Sequence, residues 1–214
     1  MNIDGLIEEV DLTRITATRL NNGQLTERLS ETLGAFTGTA ENQDFAAQFS
    51  PTGNYMRLLL NSPEDEFQIV LVFWGPGQGS PVHDHDGTVG VVSALTGQVN
   101  EIKYQISGRD QSGVTLKEES KFTICPRKIT TILPEEGKQL HLMANETQQW
   151  AATVHVYLTA INSYRVYERQ HGDLYRPVDT ELWFDRVNVG QEMPNRSAKT
   201  SVGQVPAVDA PAAG

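Results

Sequence analysis

The chain has 214 residues, with 17 Lys and Arg against 27 Asp and Glu, so its formal net charge is −10 at pH 7. That length holds one well-buried domain and little more. The acidic balance argues against nucleic acid or an anionic membrane as the main partner, because both need clustered cations.

In chain order, residues 1–49 read as mainly helical. Ile3, Leu6, Ile7 and Val10 recur at helical spacing, and Leu25, Leu29, Leu33 and Phe36 do so again behind the turn-like Asn21-Asn22-Gly23. Pro51-Thr52-Gly53-Asn54 marks a break. From there short runs rich in Val, Ile, Thr, Phe and Tyr alternate with Gly, Pro, Asn and Asp. They are 55–60, 67–74, 88–95, 98–105, 114–124, 129–133, 139–143, 151–159 and 182–187. Such closely spaced pieces predict a mainly β protein, an antiparallel sandwich or barrel, over residues 50–189. The helical segment 1–49 is expected to pack on it. Residues 190–214, rich in Ala, Pro, Ser, Gly and Val without periodicity, read as a disordered tail.

No long apolar run is present, so no membrane-spanning helix is expected. The acidic start lacks the apolar centre of a secretory signal. The single cysteine, Cys125, gives no internal disulfide and no cysteine-rich metal site, which fits a reducing cytoplasm. Cys125 precedes Pro126 and is expected to be a buried strand thiol. Any metal must draw on His83, His85, His141, His155, His171 and the carboxylates. His171 lies in a turn-like segment and reads as a surface residue. Trp74, Trp150 and Trp183 read as packing residues.

Three constellations carry chemistry. In the first, His83-Asp84-His85 follows the apolar stretch 69–74 and the loop Gly75-Pro76-Gly77. If extended, His83 and His85 project from one face and can share an ion. Gly77 lies six residues before His83, and Gly97 closes the strand that follows. The second runs from Pro134 through Gly137 and His141 to Asn145. The third is the alternating strand Thr153-Val154-His155-Val156-Tyr157, which sets a hydroxyl, an imidazole and a phenol on one face. Inward, these groups have to bond one another, Thr153 to one nitrogen of His155 and Tyr157 to the other. Outward, they would form a polar strip with Val154 and Val156 in the core.

The first two constellations resemble the paired motifs of the cupin superfamily, a jelly-roll β-barrel. Gly90 stands where the first motif has a glutamate, and the second has longer gaps. A site of His83, His85 and His141 then offers three neutral imidazoles. Such a set leaves positions open for an anionic co-ligand such as a thiolate. Imidazole also suits zinc, nickel or copper, so the ligands alone do not name the metal.

Together with the His-Asp-His core, the Thr-x-His-x-Tyr strand and Tyr55-Met56-Arg57, the chain resembles the thiol dioxygenases of the cysteine dioxygenase type. The likeness runs from about Tyr55 to Tyr167. It implies ferrous iron, Fe(2+), on His83, His85 and His141. Tyr157 would meet substrate and oxygen with His155 and Thr153 behind it. Arg57 would bind the substrate carboxylate, supported by Tyr55. Animal members carry a cysteine at the position of Gly90, cross-linked to the tyrosine, so no such link is expected here. The expected reaction is L-cysteine plus O2 to cysteine sulfinate, by a monomer. The alternatives are a 3-mercaptopropionate dioxygenase, for which Arg165 lies in the region of a second arginine, and a non-catalytic cupin that binds a metal or small ligand.

Overall fold

Local capping and apolar spacing account for the front of the chain. Helix α1 (Ile3–Ile15) starts at Asn2, whose side chain accepts from Gly5 N. Helix α2 (Asn22–Thr37) begins in a capping box. Asn21 accepts from Gln24 N, and the Gln24 side chain reaches back to Asn21 N. The Asn-Asn-Gly signal is therefore a helix start and not a separate turn. Helix α3 (Ala40–Ala47) follows. The computed structural model describes residues 1–47, 55–134 and 140–187. The expected break at 51–54, residues 135–139 of the second motif, and the expected tail lie outside these.

The strands then run β1 (Tyr55–Leu59), β2 (Gln68–Trp74), β3 (Val82–His83), β4 (Gly90–Thr96), β5 (Val99–Asp110) and β6 (Gly113–Ile124). They continue as β7 (Ile129–Ile132), β8 (Leu140–Ala144), β9 (Ala151–Tyr157), β10 (Ser163–His171), β11 (Leu174–Glu181) and β12 (Arg186–Val187). One sheet has the order β12-β1-β2-β9-β4-β7; the pairing of β10-β11-β6-β5-β8-β3 closes on itself. The chain forms the expected mainly β fold class, with a closed barrel behind N-terminal helices.

Two differences from expectation stand out. The hairpin β10–β11 was not visible in the sequence, because its outer positions are charged and Pro177 interrupts it; its pairing partners hold it. The run 182–187 is a strand only at Arg186–Val187.

The first sheet is buried on both faces. Leu29, Leu33 and Phe36 of α2 pack with Leu71, Val91, Val154 and Val156 on its outer face. Burying each such side chain stabilises by about 1.5–3 kcal/mol. On the inner face Val70, Val72, Trp74, Val92 and Tyr157 pack with Met143 and Ile124 of the closed sheet. Alternation along β9 therefore sends Val154 and Val156 to the helices, and Thr153, His155 and Tyr157 inward. The inward reading of that strand is the one the structure realises.

Candidate metal centre

Register brings the imidazoles together. His83 on β3 sits directly opposite His141 on β8. His85 lies just past β3, before a turn in which Asp86 (φ 51°) and Gly87 (φ 74°) are left-handed. Asp84 between them is held by Arg165. Its Oδ1 accepts from Arg165 N and its Oδ2 from Arg165 Nε, each at 2.8 Å, which ties this segment to β10. Ring centroids are 5.0 Å apart for His83–His85, 4.6 Å for His83–His141 and 4.5 Å for His85–His141.

The hydrogen bonds around these rings fit a cation. Nδ1 of His83 donates to Pro81 O at 3.0 Å. Nδ1 of His141 donates to Glu101 Oε1 at 2.6 Å. Each Nε2 then carries a lone pair, and the two face each other at 3.2 Å. Two donors about 2.1 Å from one ion at a right angle lie about 3.0 Å apart, close to this spacing. Both ring nitrogens of His85 are buried with no hydrogen-bond partner, which is costly unless a ligand takes one of them. Burial first, and the neighbouring imidazoles second, push His83 and His85 well below the ordinary histidine value. They are held neutral, the form that binds metal. Among the described residues, His83, His85 and His141 form a group that could hold a metal ion, with one ligand atom from each lying within 4.8 Å of the others.

Glu101 on β5 was not singled out from sequence. It is fully buried, and its Oε2 accepts from Thr130 Oγ1 at 2.6 Å while Oε1 holds His141. Burial alone would raise its carboxyl; the bond to His141 and the nearby Lys103 and Thr130 outweigh that and lower it. A carboxylate behind a ligating imidazole fixes the ring and raises its basicity. The site is thus three imidazoles backed by one negative charge. A lone Glu in a strand gives no sequence signal of this; it reads as a solvent-facing residue.

The polar row on β9 forms the expected chain. Thr153 Oγ1 lies 2.8 Å from His155 Nε2, and His155 Nδ1 lies 3.0 Å from the Tyr157 hydroxyl. Trp74 extends it at the Thr153 end. Its Nε1–H, a donor only, bonds Thr153 Oγ1 at 2.8 Å. The arrangement that pairs the Thr153 hydroxyl hydrogen has Thr153 donating to Nε2 and Nδ1–H donating to the Tyr157 oxygen. The Tyr157 hydroxyl hydrogen is then free to point into the cavity. Burial, then His141 and Arg57, lowers His155 to about 3, so it stays neutral. Burial raises Tyr157, so it stays a phenol. Gly90 borders this phenol: a Cβ there would meet Val156 O at 2.6 Å and Tyr157 Cδ1 at 3.0 Å.

Arg57 faces the same cavity, of about 40 Å³, lined also by His83, His85, His155, Tyr157 and Tyr164. Its Nε donates to the Tyr55 hydroxyl at 2.6 Å, and Nη2 lies 3.5 Å from the Tyr164 hydroxyl. Burial works against its charge; Tyr55 and Tyr164 work for it, and the net shift is upward. Among the described residues no carboxylate side chain pairs with this guanidinium, so the cavity holds a fixed cation beside the imidazole cluster.

The structure brings together every candidate site residue: Tyr55, Arg57, His83, His85, His141, Thr153, His155 and Tyr157. Other expectations need correction. Cys125 is only partly buried and follows β6 rather than lying in a strand, because β6 ends at Ile124. Trp150 and Trp183 are 39% and 41% exposed, so they are not core packing residues. Trp74 is buried but also donates the bond above. His171 is exposed, yet it ends β10 rather than sitting in the turn itself. Arg165 is engaged by Asp84 and is not among the residues lining the cavity; Tyr164 is.

Among curated proteins, the chain is 27% identical over 131 residues to cysteine dioxygenase type 1 of Danio rerio, covering 60% of this chain and 63% of that protein. The match thus spans less than two thirds of that relative's length. Among solved structures, the cupin domain of Schizosaccharomyces pombe Cnp3 is similar with a TM-score of 0.40 and 12% identity, over 53% of this chain and 66% of that one. An oxalate oxidase in complex with the substrate analogue glycolate gives a TM-score of 0.39 and 16% identity, over 51% and 53%. The model of the family described as cysteine dioxygenase type I matches residues 9–170, most of the chain, and the protein belongs to that family.

Proposed function

We propose that this protein is a thiol dioxygenase that converts L-cysteine and O2 to cysteine sulfinate, with ferrous iron held by His83, His85 and His141. The observation that carries the reading is one cavity with two ends. At one end imidazole nitrogens await a cation; at the other lies the guanidinium of Arg57, with which no carboxylate side chain pairs among the described residues. A small ligand with a soft anionic group and a carboxylate matches both. Ferrous iron, when bound, supplies the electrons that activate dioxygen and a site for the thiolate.

The chain's own residues do the rest. Arg57 takes the substrate carboxylate two-pronged, which a lysine could not copy. Tyr55 holds the Arg57 Nε side. Tyr157 presents its hydroxyl hydrogen to the oxygen atoms being transferred to sulfur, a preorganised and buried donor. Thr153 and His155 keep that hydrogen aimed. Glu101 keeps the His141 ring in place. Both atoms of O2 end on sulfur, so the thiol is oxidised to the sulfinate and no further reductant is needed. The reading places the protein in the reducing cytoplasm and as a monomer. Among the described residues no helix is long and apolar enough to cross a membrane.

The test is iron loading of the full chain, then oxygen uptake and product identification with isotopically labelled O2. Cysteine should give the sulfinate with both labelled atoms. A clear preference for 3-mercaptopropionate would move the substrate assignment to that thiol. No thiol-dependent uptake with either would favour a binding protein and overturn the enzymatic reading.

A further inference from the structure

A two-pronged carboxylate contact requires a fixed guanidinium plane, and Tyr55 and Tyr164 bond only part of the Arg57 side chain. The remaining neighbours come from the far end of the chain. Residues 182–187 run back from β11 across the mouth of the cavity. Leu182 N donates to Asn162 O at 2.9 Å, and Leu182 lines the cavity. Asp185 grips the Arg57 backbone on both sides: its N donates to Arg57 O, and its Oδ2 accepts from Arg57 N, each at 2.8 Å. Beyond it β12 pairs parallel with β1, with Leu58 opposite Arg186 and Leu59 opposite Val187. Between these anchors, the Trp183 ring lies 5.4 Å from Arg57 Cζ, and the Tyr55 ring lies 5.1 Å from it. An indole left 41% exposed is not placed there for burial. Its contact with the cavity-facing guanidinium of Arg57 accounts for it.

We propose that this strap is part of the substrate site and that Trp183 is a positioning residue, holding the Arg57 guanidinium by a cation–π contact in the orientation that takes the substrate carboxylate. The proposal rests on the carboxylate-binding reading of Arg57 given above. Asp185 fixes the strap in register, so that Trp183 and Leu182 reach the cavity together.

The experiment is anaerobic titration of the iron-loaded full chain with cysteine and with 2-aminoethanethiol, which has the thiol and amine but no carboxylate. Trp183→Leu keeps apolar bulk and removes the ring. It should weaken cysteine binding about fivefold while leaving 2-aminoethanethiol unchanged. Trp183→Phe should restore most of the loss. Asp185→Ala, which frees the strap, should show the same selectivity through a different residue. Equal loss for both ligands, or no loss for either, overturns the role of the strap. Arg57→Ala serves as the reference. If it too binds cysteine as the unaltered protein does, the carboxylate reading fails. If it loses cysteine while the Trp183 and Asp185 variants do not, only the strap proposal fails.

Discussion

Replacing Glu101 by Gln removes one buried charge and keeps the shape. The amide oxygen can still accept from His141 Nδ1, and the amide NH2 can meet the Thr130 hydroxyl, so both bonds of 2.6 Å have neutral substitutes. A hydrogen bond to a charged group contributes about 1.5–3 kcal/mol, against about 0.5–1.5 for a neutral one. The difference, roughly 1.4 kcal/mol, is about tenfold in metal affinity. Competition against a chelator, with both ferrous iron and redox-inert zinc, reads it directly. Zinc separates the electrostatic effect from any effect on turnover. Thr130→Val is the control, since it removes a neighbour of the carboxylate without removing its charge. If Glu101→Gln binds both metals as the unaltered protein does, or no more weakly than Thr130→Val, Glu101 does not support the site.

Gly90→Ala should destabilise by about 1–3 kcal/mol in denaturant unfolding, because its Cβ would sit 2.6 Å from Val156 O on a strand that cannot move away. An unchanged midpoint would show that β4 and β9 are looser than their pairing implies. Thr153→Val leaves the buried Trp74 Nε1–H without its acceptor and should cost about 1–3 kcal/mol. Adding Trp74→Phe should recover part of this, and strict additivity would refute the bond. The stability of the metal-free protein should also fall with acid. His155 is lowered to about 3 in the fold against 6.5 ordinarily, so between these values only the unfolded chain takes its proton. Its contribution is complete above about pH 6.5 and shrinks as pH drops, by up to about 1.4 kcal/mol per unit. His155→Gln should show a correspondingly shallower pH dependence, and an identical slope would overturn the assignment.

Much of the site was legible because its residues cluster in short motifs with strict spacing. His83 and His85 lie in one short segment, and period-two alternation puts Thr153, His155 and Tyr157 on one face whatever the fold around them. What the motifs hid were partners from elsewhere in the chain. Glu101 meets His141 only because β5 pairs with β8. Trp74 meets Thr153 because β2 pairs with β9 in a register that sets Val72 opposite Thr153 and Trp74 opposite Ala151. Asn145, fully buried, ties the second motif to the start of the first through its side-chain amide, which donates to Trp74 O and Gly75 O.

The sequence alone determined the mainly β class, the helical front, and which side chains could bind a metal or carry a proton. These follow from side-chain chemistry and local periodicity, which act over a few residues. Only the tertiary structure decided that β9 is buried on both faces, that a buried carboxylate backs the imidazoles, and that Trp183 and Asp185 reach back to Arg57. Each of these depends on pairing between segments distant in the chain. The register of that pairing reflects the whole packed core, and no short stretch of residues encodes it.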